Sequence, residues 1–267
     1  MTSRPRGNSR RYGILAICAA LSVFGGAALH AQELVESSVG GAIAPTIDPP
    51  TAPSEPEAQH GWEAARRATG RRILVSLGER RLWVMDGDSA LFSASIAVGK
   101  SMVLEYEAQA WNFATPRGRR RVLSKQKNPI WIPPDWHYVE LAVRQGWKLE
   151  TVRRGRSIRL QDGSSVAVRG RRLGRLLADG SFVPVPDGEE AVFDGTLFVP
   201  PLDTDNRRIE GELGRYKLDL GDAYYFHGTR DPSSIGGATT HGCIRLLDDD
   251  LEYLYRTVKV GTPVFIY

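Results

Sequence analysis

From residue 70 onward the chain is written in short apolar runs broken by glycine-centred turns, a spacing too short for helices and suited to strands. Ile73-Leu74-Val75-Ser76-Leu77 and Arg81-Leu82-Trp83-Val84-Met85 flank Gly78-Glu79-Arg80 and predict a hairpin. Asp86-Gly87-Asp88 then turns the chain into a third strand over 91–98, and strand-and-turn punctuation resumes over 157–198. Helical periodicity is scarce. It predicts a short segment over 61–68, a helix over 138–145 and another over 248–257. The last opens with three aspartates, whose charge suits the positive end of the helix dipole. The fold class is therefore mostly β. The roughly 205 residues from Gly61 onward suffice for one sizeable core, with residues about 140–201 forming a β-rich insertion: their turns come at short intervals without linker composition at the edges.

The N-terminal pattern differs in kind. Arg4, Arg6, Arg10 and Arg11 precede an uncharged apolar run over 12–29, followed by the small residues Ala27, Ala28 and Ala31. That layout predicts a secretory signal over 1–31, cleaved after Ala31, and so an exported protein of the periplasm or cell wall. The alternative is retention as an uncleaved signal anchor, the only membrane association the sequence suggests. Residues 32–60 carry Pro45, Pro49, Pro50, Pro53 and Pro56 among Ala, Ser and Glu, and predict a linker with too little apolar surface to fold.

Removing the signal changes both charge and thiol chemistry. The 35 basic residues outnumber the 31 acidic ones only through the four signal arginines. The mature chain stays polarised: 117–175 holds sixteen Lys or Arg against Asp135, Glu140, Glu150 and Asp162, either a face for an anionic polymer or a set of solvated strand faces. No phosphate loop or nucleic-acid-binding motif accompanies the arginines at 117–121, so nucleic acid is not a partner and a solvated turn is the default reading. Of the two cysteines, Cys18 leaves with the signal and Cys243 remains without an intrachain partner. A lone thiol in an oxidising compartment is either buried and inert or reactive.

The neighbours of Cys243 favour reactivity. Tyr225-Phe226-His227-Gly228-Thr229, Ser233-Ser234-Ile235-Gly236-Gly237 and Thr240-His241-Gly242-Cys243-Ile244-Arg245-Leu246 place two of the five histidines and the mature thiol within seventeen residues. An imidazole can take the thiol's proton, and Gly242 allows the tight turn that would present backbone N–H groups to a developing oxyanion. Arg245 adds a fixed charge that would stabilise the thiolate, bind a carboxylate or brace the loop. Two His and one Cys also match the ligand types of a zinc centre, but no HExxH pair is present and small residues with Arg245 crowd the thiol, so neither a metal nor an organic cofactor is expected. Trp131, Trp136, Tyr138 and Trp147 read as packing residues in preference to sugar platforms.

These motifs resemble the YkuD-type L,D-transpeptidases, whose signature pairs HG[TS] with a downstream [ST]HGC, an apolar residue and Arg or Asn. Twelve residues separate His227 from Thr240, and the resemblance extends to Thr115-Pro116-Arg117-Gly118, to Asn128-Pro129-Ile130-Trp131-Ile132-Pro133-Pro134, to Leu213-Gly214-Arg215-Tyr216 and to Val260-Gly261-Thr262-Pro263-Val264. It implies a single sandwich- or barrel-like catalytic domain with short helices. It also implies Cys243 as nucleophile, His227 as general base and acid oriented by the Gly228 carbonyl, His241 in support, and backbone N–H groups near His241, Gly242 and Cys243 for the oxyanion. The implied partner is the peptidoglycan stem peptide, cut at its L,D bond and joined to an amine in a 3–3 cross-link. Hydrolysis by an L,D-carboxypeptidase, attachment of a protein, or silent wall binding are the alternatives, and the 140–201 insertion, absent from a minimal family member, bears on which holds.

Overall fold

The computed structural model describes residues 47–267; the predicted signal and the linker up to residue 46 lie outside the described residues. After helix α1 (Pro56–Arg67), strands β1 (Arg71–Ser76), β2 (Arg81–Asp86) and β3 (Ser89–Ser95) form an antiparallel meander. Then come β4 (Val98–Gly99), the hairpin β5 (Val103–Tyr106) and β6 (Gln109–Asn112), and β7 (Gly118–Arg121), β8 (Ser124–Lys127) and β9 (Ile130–Trp131). Helix α2 (Asp135–Gln145) leads into β10 (Lys148–Thr151), β11 (Ile158–Arg159), β12 (Ser165–Arg169), β13 (Arg172–Leu176), β14 (Phe182–Pro184), β15 (Val192–Phe193) and β16 (Thr196–Val199). Strands β17 (Ile209–Glu210), β18 (Tyr216–Asp219), β19 (Tyr225–His227), β20 (Ala238–Thr240) and β21 (Ile244–Arg245) follow, with helix α3 (Asp248–Thr257) and β22 (Pro263–Ile266) closing the described chain.

Two sheets share the main core. One has the order β3-β2-β1-β22-β7 and the other β21-β19-β18-β8. Ile73, Val75, Leu82 and Val84 from the first meet Leu218, Phe226 and Ile244 from the second, with Leu251 and Leu254 of α3. Alternate residues of the first sheet, Leu74, Trp83 and Phe265, point the other way, onto Ala58, Trp62 and Ala65 of α1. Strand β1 is thus covered on both faces, which is why it reads as an unbroken apolar run and not as an alternating one.

Three sequence expectations shift. The ordered chain begins before Gly61: α1 starts at Pro56, a residue suited to a first helical turn. Ahead of it Ile47 packs against the α1 cluster, and the Trp83 indole donates to Asp48 O at 2.9 Å. Composition hides this, because one isoleucine and one carbonyl suffice to dock the segment. The third strand ends at Ser95, and Val98–Gly99 joins a different sheet beside β20. The arginines at 117–121 lie largely in β7, paired with β22, where Arg119 covers the Phe265 ring and Arg120 the Tyr224 ring.

Residues 140–201, expected from the sequence as an insertion, form the sheets β10-β16-β15 and β11-β12-β13-β14 around Val152, Val166, Leu173 and Phe198. The expected start bisects α2. Tyr138, Leu141 and Ala142 of that helix pack on Leu197 and Val199, so the helix shares a core with the strands of this region. Its basic excess is met by carboxylates placed mostly just beyond the basic stretch, with Arg154, Arg171 and Arg172 paired to Asp203, Asp205 and Asp187.

Candidate active site

Parallel pairing of β19 with β21 sets Phe226 opposite Ile244 and His227 opposite Arg245. Phe226 and Ile244 are buried in the main core. Strand alternation therefore puts His227 and Arg245, with Cys243 just ahead of β21, on the other face of the sheet. The two motifs read from the sequence meet here. His227 Nδ1 lies 2.7 Å from Gly228 O. A carbonyl only accepts, so Nδ1 carries the hydrogen and Nε2 is left with its lone pair. Gly228 is held in turn by its N–H to Leu213 O at 2.8 Å, and a side chain there would collide with Asp248 Oδ1 and Gly214.

The resting pair is uncharged. Burial pulls the His227 imidazole down to about 4; the Arg245 charge adds to this and the Gly228 carbonyl opposes it. Burial pushes the Cys243 thiol up to about 11, against the Tyr225 N–H and the charges of Arg245 and Lys217. The thiol donates at 3.7 Å to the carbonyl of Ala223, a residue in the left-handed region at φ 60°.

The turn carrying Cys243 is locked by Thr240, whose Oγ1 donates to Cys243 O at 2.6 Å and accepts from Gly242 N–H at 3.2 Å. Gly242 sits at φ 114°, and a Cβ there would come within 2.8 Å of the Tyr224 ring. Glycine is thus required, as the sequence suggests, and its N–H, one of the oxyanion donors expected from the motif, points to Thr240 Oγ1 at 3.2 Å. Arg245 braces: its Nη1 donates to Ser234 Oγ at 3.1 Å.

His241 is surrounded by residues the sequence reading did not connect to it. Its Nε2 lies 2.7 Å from Glu140 Oε2 and 3.0 Å from Lys100 Nζ, and Lys100 also pairs closely with Glu140 Oε1. The imidazole stacks on Trp136 at 4.1 Å with an 18° tilt and meets the edge of Phe113 at 4.6 Å. Glu140 stands 101 positions before His241, in a helix whose pattern signals only amphipathicity. Trp136, expected to be packing, packs on this imidazole.

Three of the other stretches singled out in the sequence, around Thr115, Asn128 and Gly214, lie near these two motifs. Ala114 O, next to Thr115, lies against Gly242, and Gly214 lies against Gly228. A cleft of about 430 Å3 opens beside Thr229, walled by Asn128, Ile130, Arg215, Arg230 and Asp248. Among the described residues no group of three or more His, Cys, Asp or Glu could hold a metal ion, and no helix is long and apolar enough to cross a membrane.

A mostly-β domain with a thiol and a tautomer-fixed imidazole on neighbouring strands is what residues 70–266 present, and those residues match the family model of the YkuD L,D-transpeptidase catalytic domain. The chain belongs to that family. Its relatives include the protein named probable L,D-transpeptidase YbiS of Escherichia coli, 40% identical over 55 residues, which are 21% of this chain and 18% of YbiS. A second is probable L,D-transpeptidase ErfK/SrfK of Salmonella typhimurium, 42% identical over 57 residues, 21% of this chain and 18% of that protein. The aligned stretches thus span less than a fifth of these relatives' length. Among solved structures, the L,D-transpeptidase of Xylanimonas cellulosilytica is similar over 80% of this chain and 70% of its own at 12% identity, with a TM-score of 0.40.

Proposed function

We propose that this chain is a peptidoglycan L,D-transpeptidase with Cys243 as nucleophile and His227 as general base. The observation that carries the reading is the Nδ1–Gly228 O hydrogen bond at 2.7 Å, which leaves Nε2 of His227 unprotonated on the face that Cys243 also occupies. Cys243 Sγ attacks the carbonyl of the L,D bond between the third stem residue, a diamino acid, and the terminal D-Ala, while His227 Nε2 takes the thiol proton. The tetrahedral oxyanion is received by backbone N–H groups beside Cys243. Collapse breaks the C–N bond, His227 returns the proton to the departing D-Ala amine, and a thioester remains. The side-chain amine of a second stem then attacks, loses its proton to His227 and expels the Cys243 thiolate, which His227 reprotonates, giving a 3–3 cross-link and the starting thiol. The substrate lies outside the cytoplasm, in keeping with the export signal read over 1–31.

Because the resting thiol and imidazole are both neutral, the ion pair forms only as substrate arrives and not in the free enzyme. Incubation with a disaccharide-tetrapeptide, followed by mass analysis, is expected to yield free D-Ala and a dimer linked through two third residues. Tripeptide monomer as the sole product would make the chain an L,D-carboxypeptidase instead. A protein lysine linked to the third residue would make it an attachment enzyme.

A further inference from the structure

Glu140, Lys100 and Trp136 touch His241 but take no part in the proton transfers above. We propose that Glu140 is a positioning residue: with Lys100 it holds His241 as the Nε2–H tautomer two residues from Cys243, which makes α2 and the insertion behind it part of the acyl-transfer machinery. The inference rests on the transpeptidase reading of the same site.

The argument begins with hydrogen-bond capacity. A carboxylate only accepts and an ammonium only donates, so one ring nitrogen can satisfy either Glu140 or Lys100 but not both. Nε2 stands nearer Glu140 Oε2, at 2.7 Å against 3.0 Å to Lys100 Nζ, and Lys100 has a partner of its own in Glu140 Oε1. Nε2–H donating to Glu140 satisfies all three groups, with one negative charge, one positive charge and a neutral ring. Burial lowers the His241 pKa, with Glu140 opposing and Lys100 and Arg245 adding, which keeps the ring neutral. Burial also resists ionisation of Glu140, yet the hydrogen bonds from Lys100 and His241 outweigh it and hold the carboxyl below its ordinary range. Nδ1 is then a lone-pair acceptor.

Helix geometry explains how the insertion reaches this ring. Trp136 and Glu140 are four positions apart on α2 and share a face, so one helix supplies both the stacking surface and the carboxylate. Tyr138, Leu141 and Ala142 fasten the helix to Leu197 and Val199 of the insertion. The ring is thereby fixed in position by packing and in tautomer by the carboxylate.

Removing Glu140 has a signed consequence. In Glu140→Ala, Lys100 Nζ is left beside Nε2 and donates to it, which drives the ring to the Nδ1–H tautomer and turns the acceptor Nδ1 into a donor. Glu140→Gln keeps a carbonyl that can accept from Nε2–H. Side-chain nitrogen-15 NMR of the signal-free chain at neutral pH, with His241 assigned by comparison with His241→Gln, reads the tautomer without substrate; D-Ala release from the disaccharide-tetrapeptide reads the rate. Wild type and Glu140→Gln are expected to show Nε2–H, and Glu140→Ala to show Nδ1–H. D-Ala release should fall by about tenfold or more in Glu140→Ala and by less than about threefold in Glu140→Gln. An unchanged tautomer in Glu140→Ala, or a changed tautomer with release within about twofold of wild type, overturns the proposal. If Glu140→Ala fails to fold, the double variant Glu140→Gln, Lys100→Met decides: Nε2–H should persist there, and loss of that tautomer in the folded double variant counts against Glu140's side of the contact. A wild-type chain that releases no D-Ala contradicts the transpeptidase reading alone, because the tautomer measurement stands independently of turnover.

Discussion

Cys243→Ala is expected to abolish D-Ala release from a tetrapeptide stem, a loss of at least about 10^3-fold, while the protein stays folded. The chemical half follows from Cys243 being the one thiol of a chain prepared without residues 1–31. The structural half follows from where the thiol sits: the hydrogen bond it donates is a long 3.7 Å contact to Ala223 O, while the neighbouring strands are held by Phe226 and Ile244, buried in the core. Loss of a single sulfur from a half-buried position should cost less than about 1.5 kcal/mol. Paired measurements of D-Ala release and thermal unfolding check both halves. Residual release close to wild type in a folded variant would remove Cys243 from the mechanism.

The second large effect concerns His227. His227→Gln removes an imidazole on the nucleophile's face whose Nε2 is left basic by a backbone hydrogen bond, and should lower D-Ala release by about 10^2–10^4-fold with little change in stem binding. The pH dependence has a definite sign. His227 must be neutral to act as a base, and burial holds its pKa at about 4, so the acid limb of kcat/KM should fall as pH drops through about 4 and not through the ordinary histidine value. The thiol, at about 11, stays protonated through the neutral range. Alkylation by iodoacetamide should therefore climb by about tenfold per pH unit up to the alkaline range. A plateau near neutrality would show a preformed thiolate–imidazolium pair and contradict the neutral resting state.

What the sequence disclosed follows from which interactions are local. The β1–β2 hairpin is set by apolar runs around a Gly-containing turn, and α3 spans the predicted 248–257 because its three aspartates mark the start and Val258 ends it in extended conformation. Cys243 and His227 were legible because both lie in short motifs of one chain segment. Glu140 and Lys100 were not: their contacts with His241 exist only once α2 and the chain after β4 approach a turn more than a hundred residues later. The contact of Gly242 N–H with Thr240 Oγ1 was hidden for a related reason, since it depends on the Thr240 rotamer. Residue 140, the expected start of the insertion, falls inside α2, one face of which packs on Leu197 and Val199 while the other, through Trp136 and Glu140, meets His241 in the turn that carries Cys243.

The central claim is that an acyl group passes through Cys243. The most direct test is intact-mass analysis of the signal-free protein mixed briefly with disaccharide-tetrapeptide and quenched in acid, followed by peptide mapping. The account predicts a mass increase equal to the stem less D-Ala, placed on Cys243 and absent from Cys243→Ala. Turnover to free D-Ala with the adduct on another residue, or with the Cys243→Ala variant equally active, would contradict it.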